Sequence, residues 1–356
     1  MVNIDKKKPV MVTGATGYVA GWLVKRLLEE GLTVHAAVRN PSDKTKLAHL
    51  DKIAKTTPGT IKYFKSDLLE SGSYAEAMKG CEVVFHTASP FTTEVKDPQK
   101  QLIDPAVKGT INVLDQANKT DSVKRVVVTS SCAAIYTDAT DCEKAPNGVL
   151  TEEVWNTSSS LEYQPYSYSK TLAEKKAWEM SKAQNRWELV TINPSFVLGP
   201  ALNPATVTSE SYSILKQVGD GTMKMGAPRM GVGVVDVRDV AEAHFQAGFN
   251  PKAKGRYITS GHNSDILDMA LTLIPKYGDK YPIPRKALPK WLLMLVGSFV
   301  NKLFTRRYVK NNVNIPFKAD NSKIKNDLGI KFRPVRETME DSFQLMIDAN
   351  MIKKAS

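Results

Sequence analysis

"VMVTGATGYVAGWLVKRLLEEG", residues 10–31, decides the fold. A β-rich apolar run leads into a turn holding Gly14 and Gly17, and helical spacing follows. Two glycines permit the tight turn and the close backbone approach that a pyrophosphate requires, and the helix then opens with free N–H groups facing the phosphates. Ala20 and Gly21 supply the third small position, where a larger side chain would hold helix off sheet. The loop and first helical turn therefore nominate Gly14, Thr16, Gly17, Tyr18 and Val19 as dinucleotide contacts.

Outward from this stretch, "LTVHAAV", "TIKYF", "EVVFHTA", "RVVVTSS" and "WELVTI" are further short apolar runs. They read as strands buried on both sheet faces. Helical segments separate them, including one with Ile103, Val107, Ile111 and Leu114 in helical register. Regular alternation predicts an α/β protein with a Rossmann-type, doubly wound parallel sheet over residues 1–195. Beyond, Pro- and Gly-rich turn signals loosen the pattern. Residues 196–356 are expected to form mainly a smaller substrate-binding lobe, with some segments returning to the sheet.

The end of the second strand distinguishes the two dinucleotides. An acid there holds the ribose 2′-hydroxyl of NAD. This chain has Arg39, followed by Lys44 and Lys46. A guanidinium suits a 2′-phosphate through forked, charge-assisted hydrogen bonds, so NADP(H) is the expected cofactor. Asp67 and Leu68, after the third strand, fit an adenine-edge contact, and Asp67 could equally cap the next helix.

The fifth strand ends in Ser130 and Ser131, at the sheet edge where open parallel sheets bind ligands. "PYSYSK", residues 165–170, follows with two tyrosines before one lysine. Tyr166 and Lys170 are one helical turn apart and share a face, whereas Tyr168 points the other way. A second pair with the same spacing, Tyr212 and Lys216, follows no serine-ended strand and reads as coincidence. When hydride reaches a carbonyl carbon, charge grows on oxygen; a serine hydroxyl can hydrogen-bond that oxygen and a phenol can protonate it. A nearby ammonium is expected to lower the phenol pKa.

Composition narrows the classes further. The 356 residues are 42% hydrophobic and 24% charged, ordinary for a soluble globular chain. The net charge of +12 reads as a scattered excess without a nucleic-acid motif. Cys81, Cys132 and Cys142 form neither a disulfide framework nor a Cys-x-x-Cys site, and the start carries no signal-like run, so a cytoplasmic setting is expected. "WLLMLVGSFV", from Trp291, is too short to span a bilayer and reads as a buried or surface-packed helix in preference to a membrane-contacting one. The histidines show no metal-ligand spacing. The expected partner is a small carbonyl substrate, with no nucleic acid or membrane, for a monomer or homodimer.

"TGATGYVA", "HTASP", "KGTINVL", "VTSS", "YSYSKTLAE", "INPSFVLGP", "VDVRDVAEAH" and "DNSKIKNDLGIKFRP" run in order through the chain. Together they resemble an extended short-chain dehydrogenase/reductase of the dihydroflavonol- and cinnamoyl-CoA-reductase-like branch, which includes microbial carbonyl reductases. The resemblance implies a triad of Ser131, Tyr166 and Lys170, with Ser130 the alternative serine. It also implies cofactor contacts at Ala88, Ser89, Pro194, Ser195 and Val197. Asn112 matches an asparagine that relays protons in many relatives, or else a helix-packing amide. Asp236 and Asp239 match a late acidic motif, with Asp239 read as a helix N-cap. Gln164–Lys170 departs from the usual cinnamoyl-CoA reductase motif, and Tyr136 stands where flavonoid reductases carry Asn or Asp. Both departures count against those two plant activities. Phe91, Ile135, Tyr136 and Phe196 suggest a partly aromatic pocket for a hydrophobic aldehyde or ketone, or else belong to the core. The related alternatives are a 3β-hydroxysteroid dehydrogenase-like oxidation, a nucleotide-sugar epimerase, or a non-enzymatic NADP-binding sensor, the last disfavoured because Tyr166 and Lys170 are intact.

Overall fold

The computed structural model describes residues 2–89, 95–204, 209–300 and 304–353. The first half alternates as read: β1 (Val10–Thr13), α1 (Tyr18–Glu29), β2 (Thr33–Val38), α2 (Lys44–Ala54), β3 (Thr60–Lys65), α3 (Ala75–Met78) and β4 (Val83–His86). After it come α4 (Asp104–Asn118), β5 (Arg125–Thr129), α5 (Thr140–Lys144), α6 (Pro165–Lys182) and β6 (Glu188–Pro194). The second half contributes β7 (Phe196–Leu198), α7 (Glu210–Gly219), β8 (Gly231–Asp236), α8 (Val237–Phe249), β9 (Gly255–Thr259) and β10 (His262–Asp265). Helices α9 (Ile266–Leu271), α10 (Ile274–Tyr277), α11 (Lys290–Val300), α12 (Arg306–Asn312), α13 (Ser322–Leu328) and α14 (Val335–Asp348) complete it.

The main sheet is parallel and seven-stranded, in the order β3-β2-β1-β4-β5-β6-β9. Order reverses between β1 and β4, which opens a crevice at their carboxyl ends. Strands β1 and β4 are buried along their whole length because helices cover both faces. One face packs α1 and α8 residues such as Leu23, Leu27, Ala241 and Phe245; the other packs Met78, Val113, Leu114 and Ala177. Strand β9, "GRYIT", returns from the second half of the chain to pair with β6. A second sheet, β10-β8-β7, anchors a core built on Tyr212, Leu267, Tyr277 and Phe343.

Helix α4 differs from the expected register. Ala106, Gly109, Thr110, Val113, Leu114 and Ala117 face inward, while Val107 and Ile111 are only half-buried. Small residues on the inner face let α4 lie close to its neighbours: a Cβ on Gly109 would stand 2.4 Å from the Leu68 side chain.

Candidate active site

Gly14 takes φ +61°, a left-handed conformation that glycine adopts without a Cβ penalty. A Cβ there would also stand 3.1 Å from the Ala88 backbone. The turn closes with Gly17 N–H donating to Gly14 O at 2.8 Å, and Gly17 begins α1 without any side-chain cap. The helix therefore presents unsatisfied N–H groups toward the crevice, which suits an anion. Thr16 and Val19 are half-buried beside it. The Tyr18 hydroxyl points elsewhere, donating to Gly199 O at 2.7 Å and packing edge-on against Tyr212, so any cofactor contact here would fall to its backbone.

Arg39 and Lys44 are exposed, at the end of β2 and the start of α2. Asp67 does not cap a helix: its carboxylate accepts from Leu69 N–H at 2.9 Å, and Ser73 bonds its backbone. Asn112 donates to the Leu68 and Glu70 carbonyls at 3.1 and 2.8 Å, so it staples this loop to α4. The packing-amide alternative is the one observed. Asp236, not Asp239, caps α8, accepting from Arg238 N–H at 2.8 Å; Asp239 binds the Arg333 backbone and guanidinium instead.

The reacting end is assembled by backbone chemistry at the start of α6. Gln164 adopts φ 55° and Pro165 takes the first helical position, where its missing N–H costs nothing. Tyr166 thereby enters the first turn and Lys170 the second. Ser131 sits at the end of β5, its Oγ accepting from Ala133 N–H at 3.1 Å with its own proton left to donate. Ser130 faces away, buried, and donates to Glu174 Oε2 at 2.5 Å. The Tyr166 residue is 43% exposed, yet desolvation in its densely packed surroundings pushes its phenol up to about 12. A hydrogen bond with Ser131 opposes that rise and the Glu210 carboxylate adds to it.

Lys170 Nζ donates to Ser89 Oγ at 3.0 Å and lies 5.8 Å from the Tyr166 ring centroid. Burial lowers its ammonium to about 8, with the Glu174 charge pulling the other way. The expected lowering of the phenol by Lys170 is not met, because Nζ is turned to Ser89 and desolvation governs Tyr166. The coincidental pair separates as read: Tyr212 donates to Gly199 O in the core, and Lys216 is exposed.

Beneath the triad lies a network that the sequence reading did not single out. Glu174 is fully buried and binds Ser130, Thr191, Asn193 and Arg256 at 2.5–3.1 Å. Asn193 also donates to Ser131 O at 3.2 Å, so the network holds both serines. Its signal was present, one turn beyond Lys170 on the same helix face. His86 is a second omission. Thr13 Oγ1 accepts from the Thr87 and Ala88 N–H groups, so its proton goes to His86 Nδ1, 3.1 Å away. Buried next to the Lys170 charge, His86 is held neutral, its pKa down to about 3.

Pro194 and Val197 lie beside Ser195, whose buried Oγ has no partner among the described residues. Such an orphan fits a polar group arriving from a cofactor. Together with the uncapped α1 and the Gly14 cradle, it makes these residues compatible with a dinucleotide. Only part of the expected substrate pocket is brought together: Ile135 and Tyr136 share one apolar cluster, apart from Phe196. Phe91 lies outside the described residues, Ile135 belongs to a buried cluster with Cys132 and Leu150, and Tyr136 packs 5.0 Å from the Phe317 ring. Phe196 lines a separate apolar cavity with Leu198, Ile214 and Met269. Among the described residues no acidic, His or Cys cluster could hold a metal, and no helix is long and apolar enough to cross a membrane.

The model of the NAD dependent epimerase/dehydratase family matches residues 10–259, well over half of the chain. The chain belongs to that family. Within it, this extended short-chain dehydrogenase/reductase is an oxidoreductase, similar over almost its full length to reductases. It is 36% identical over 347 residues to tetraketide alpha-pyrone reductase 1 of Arabidopsis thaliana, covering 96% of each chain. It is 43% identical over 272 residues to cinnamoyl-CoA reductase CAD2 of Medicago truncatula, covering 75% of this chain and 81% of the relative. The crystal structure of Gre2 from Candida albicans, in complex with NADPH, superposes with a TM-score of 0.76 at 28% identity, covering 96% of this chain and 99% of Gre2.

Proposed function

We propose that this reductase converts aldehydes and ketones to alcohols with NADPH. The observation that carries the reading is the convergence of Ser131, Tyr166 and Lys170 at the carboxyl edge of the sheet, with Ser130 committed to Glu174. NADPH supplies the hydride to the carbonyl carbon. The Ser131 hydroxyl hydrogen-bonds the carbonyl oxygen as charge builds there, and the Tyr166 phenol gives it the proton that completes the alcohol. Lys170 keeps donors for ribose hydroxyls beyond its bond to Ser89, and Arg39 and Lys44 supply charge for a 2′-phosphate. Arg39 at the end of β2 favours this reading over an epimerase, which would keep NAD there through an acid.

The test is a panel of aldehydes, ketoesters and aryl ketones, assayed with NADPH and with NADH. Consumption of NADPH with formation of the alcohol is expected. Turnover with NADH alone, or none with any carbonyl, would contradict the proposal.

A further inference from the structure

The excess positive charge is not scattered as expected but concentrated in one stretch. Between Lys280 and Ala319 there are nine Lys and Arg residues and no Asp or Glu, so this stretch supplies +9 of the net +12. It contains α11 and α12. In α11, Leu293 and Gly297 face inward: Leu293 packs with Val309 and Val313, and Gly297 lies against Phe304. The opposite face carries Trp291, Leu295 and Ser298, at spacings of four and three residues, all exposed.

Trp291 and Leu295 are 67% and 61% exposed, and Met225 is 73% exposed; no other large apolar side chain among the described residues is as open. Met225 belongs to the same surface. Its turn is tied to the segment entering α11 by Ala227 N–H to Lys286 O and Leu288 N–H to Ala227 O, at 3.1 and 2.9 Å. On this turn, the entry to α11 and the neighbouring α12, Lys224, Arg285, Lys286, Arg306 and Lys310 are exposed, whereas Arg307 stacks on the Tyr163 ring at 3.6 Å.

We infer that this face docks on an anionic lipid surface, with Trp291, Leu295 and Met225 entering the interface and the surrounding cations meeting headgroup charge. An interfacial helix combines an apolar face with flanking Lys and Arg, and indole belongs at the headgroup boundary. Unpaired cations are attracted to anionic leaflets over about a Debye length, roughly 10 Å in 0.1 M salt. A symmetric contact with a second copy is disfavoured because an isologous interface would press two acid-free, cationic stretches together. The contact is peripheral and crosses nothing, so it departs from the expectation of no membrane partner without requiring a spanning helix.

Vesicle co-sedimentation tests the inference. The full chain is mixed with phosphatidylcholine vesicles, or with vesicles containing about one-third phosphatidylserine, at low and high salt. Binding to the anionic vesicles alone is expected, weakening with salt and accompanied by a blue shift of tryptophan fluorescence. The double variant Trp291→Ser/Leu295→Ser should lose at least about tenfold in partitioning while its melting curve stays in place. No binding at low salt, equal binding to neutral vesicles, or unchanged binding by the variant would overturn the inference. So would a solution dimer whose mass falls to that of a monomer in the variant.

Discussion

Tyr166 and Tyr168 lie two residues apart, so chemistry separates them only through the face of α6 each occupies. Tyr166 adjoins Ser131 at the strand end, and its phenol, near 12, stays protonated through neutrality, as a proton donor to an alkoxide must. Tyr166→Phe should bind NADPH normally, read by fluorescence titration, and lose turnover by about 10²-fold or more. Tyr168→Phe should stay active. The serines divide the same way. Ser131→Ala removes a donor to the developing oxyanion and should cost about 10²-fold in kcat, whereas Ser130→Ala should act mainly through stability, because Ser130 serves Glu174. Reversed behaviour within either pair would show that the wrong hydroxyl has been assigned.

At the scale of elements, β5, β6 and β9 are tied to α6 by one buried carboxylate. Glu174→Gln would leave the Arg256 guanidinium, 7% exposed, without its counter-charge. Breaking such a pair should cost about 3 kcal/mol, seen as a lower urea midpoint; an unchanged midpoint would mean the network is incidental. At the end of β2, Arg39→Ala should raise the NADPH Michaelis constant by about tenfold, the loss of one charge-assisted phosphate contact, and leave NADH almost untouched. Strands β1, β2, β4, β5 and β6 were legible because their apolar runs are short and continuous, as burial on both faces demands; β3, at the sheet edge, is instead half-exposed, contrary to the expected burial. Strand β9 was not legible, since "GRYIT" is five residues set among turn signals with a charged Arg256 inside it. Arg256 is there to meet Glu174, a pairing that no local pattern announces. Tyr166 and Lys170 could be paired from spacing, and the choice of Ser131 rested on the resemblance, but Asn112 and Asp239 could not be placed. Their partners, a loop carbonyl and Arg333, are distant in sequence. The pocket was hard to read for a related reason, since an apolar side chain near a site and one in the adjoining core look alike before packing is known.

The whole molecule carries three buried histidines with lowered pKa, and the two most strongly perturbed should shape its response to acid. His86 and His244 are held down to about 3 and about 4, chiefly by desolvation, against an ordinary value of 6.5. Below pH 6.5 the unfolded chain takes up protons that the folded chain refuses. Stability is therefore full above that pH and falls as pH drops toward 3 to 4. The melting temperature of His86→Gln should vary less with pH between these limits than that of the parent chain; parallel curves would contradict this. Function also belongs to this scale, since the cofactor cradle, the triad and the second-half lobe must all act together. Its most direct measurement is isotopic. The protein is given NADPH deuterated on the reducing face of the nicotinamide together with an aryl ketone, and the alcohol is analysed by mass and NMR. The account predicts deuterium on the carbinol carbon with the wild-type chain, and about 10²-fold or more less deuterated alcohol with Tyr166→Phe although that variant binds NADPH. Product without deuterium, or undiminished transfer by Tyr166→Phe, would contradict it.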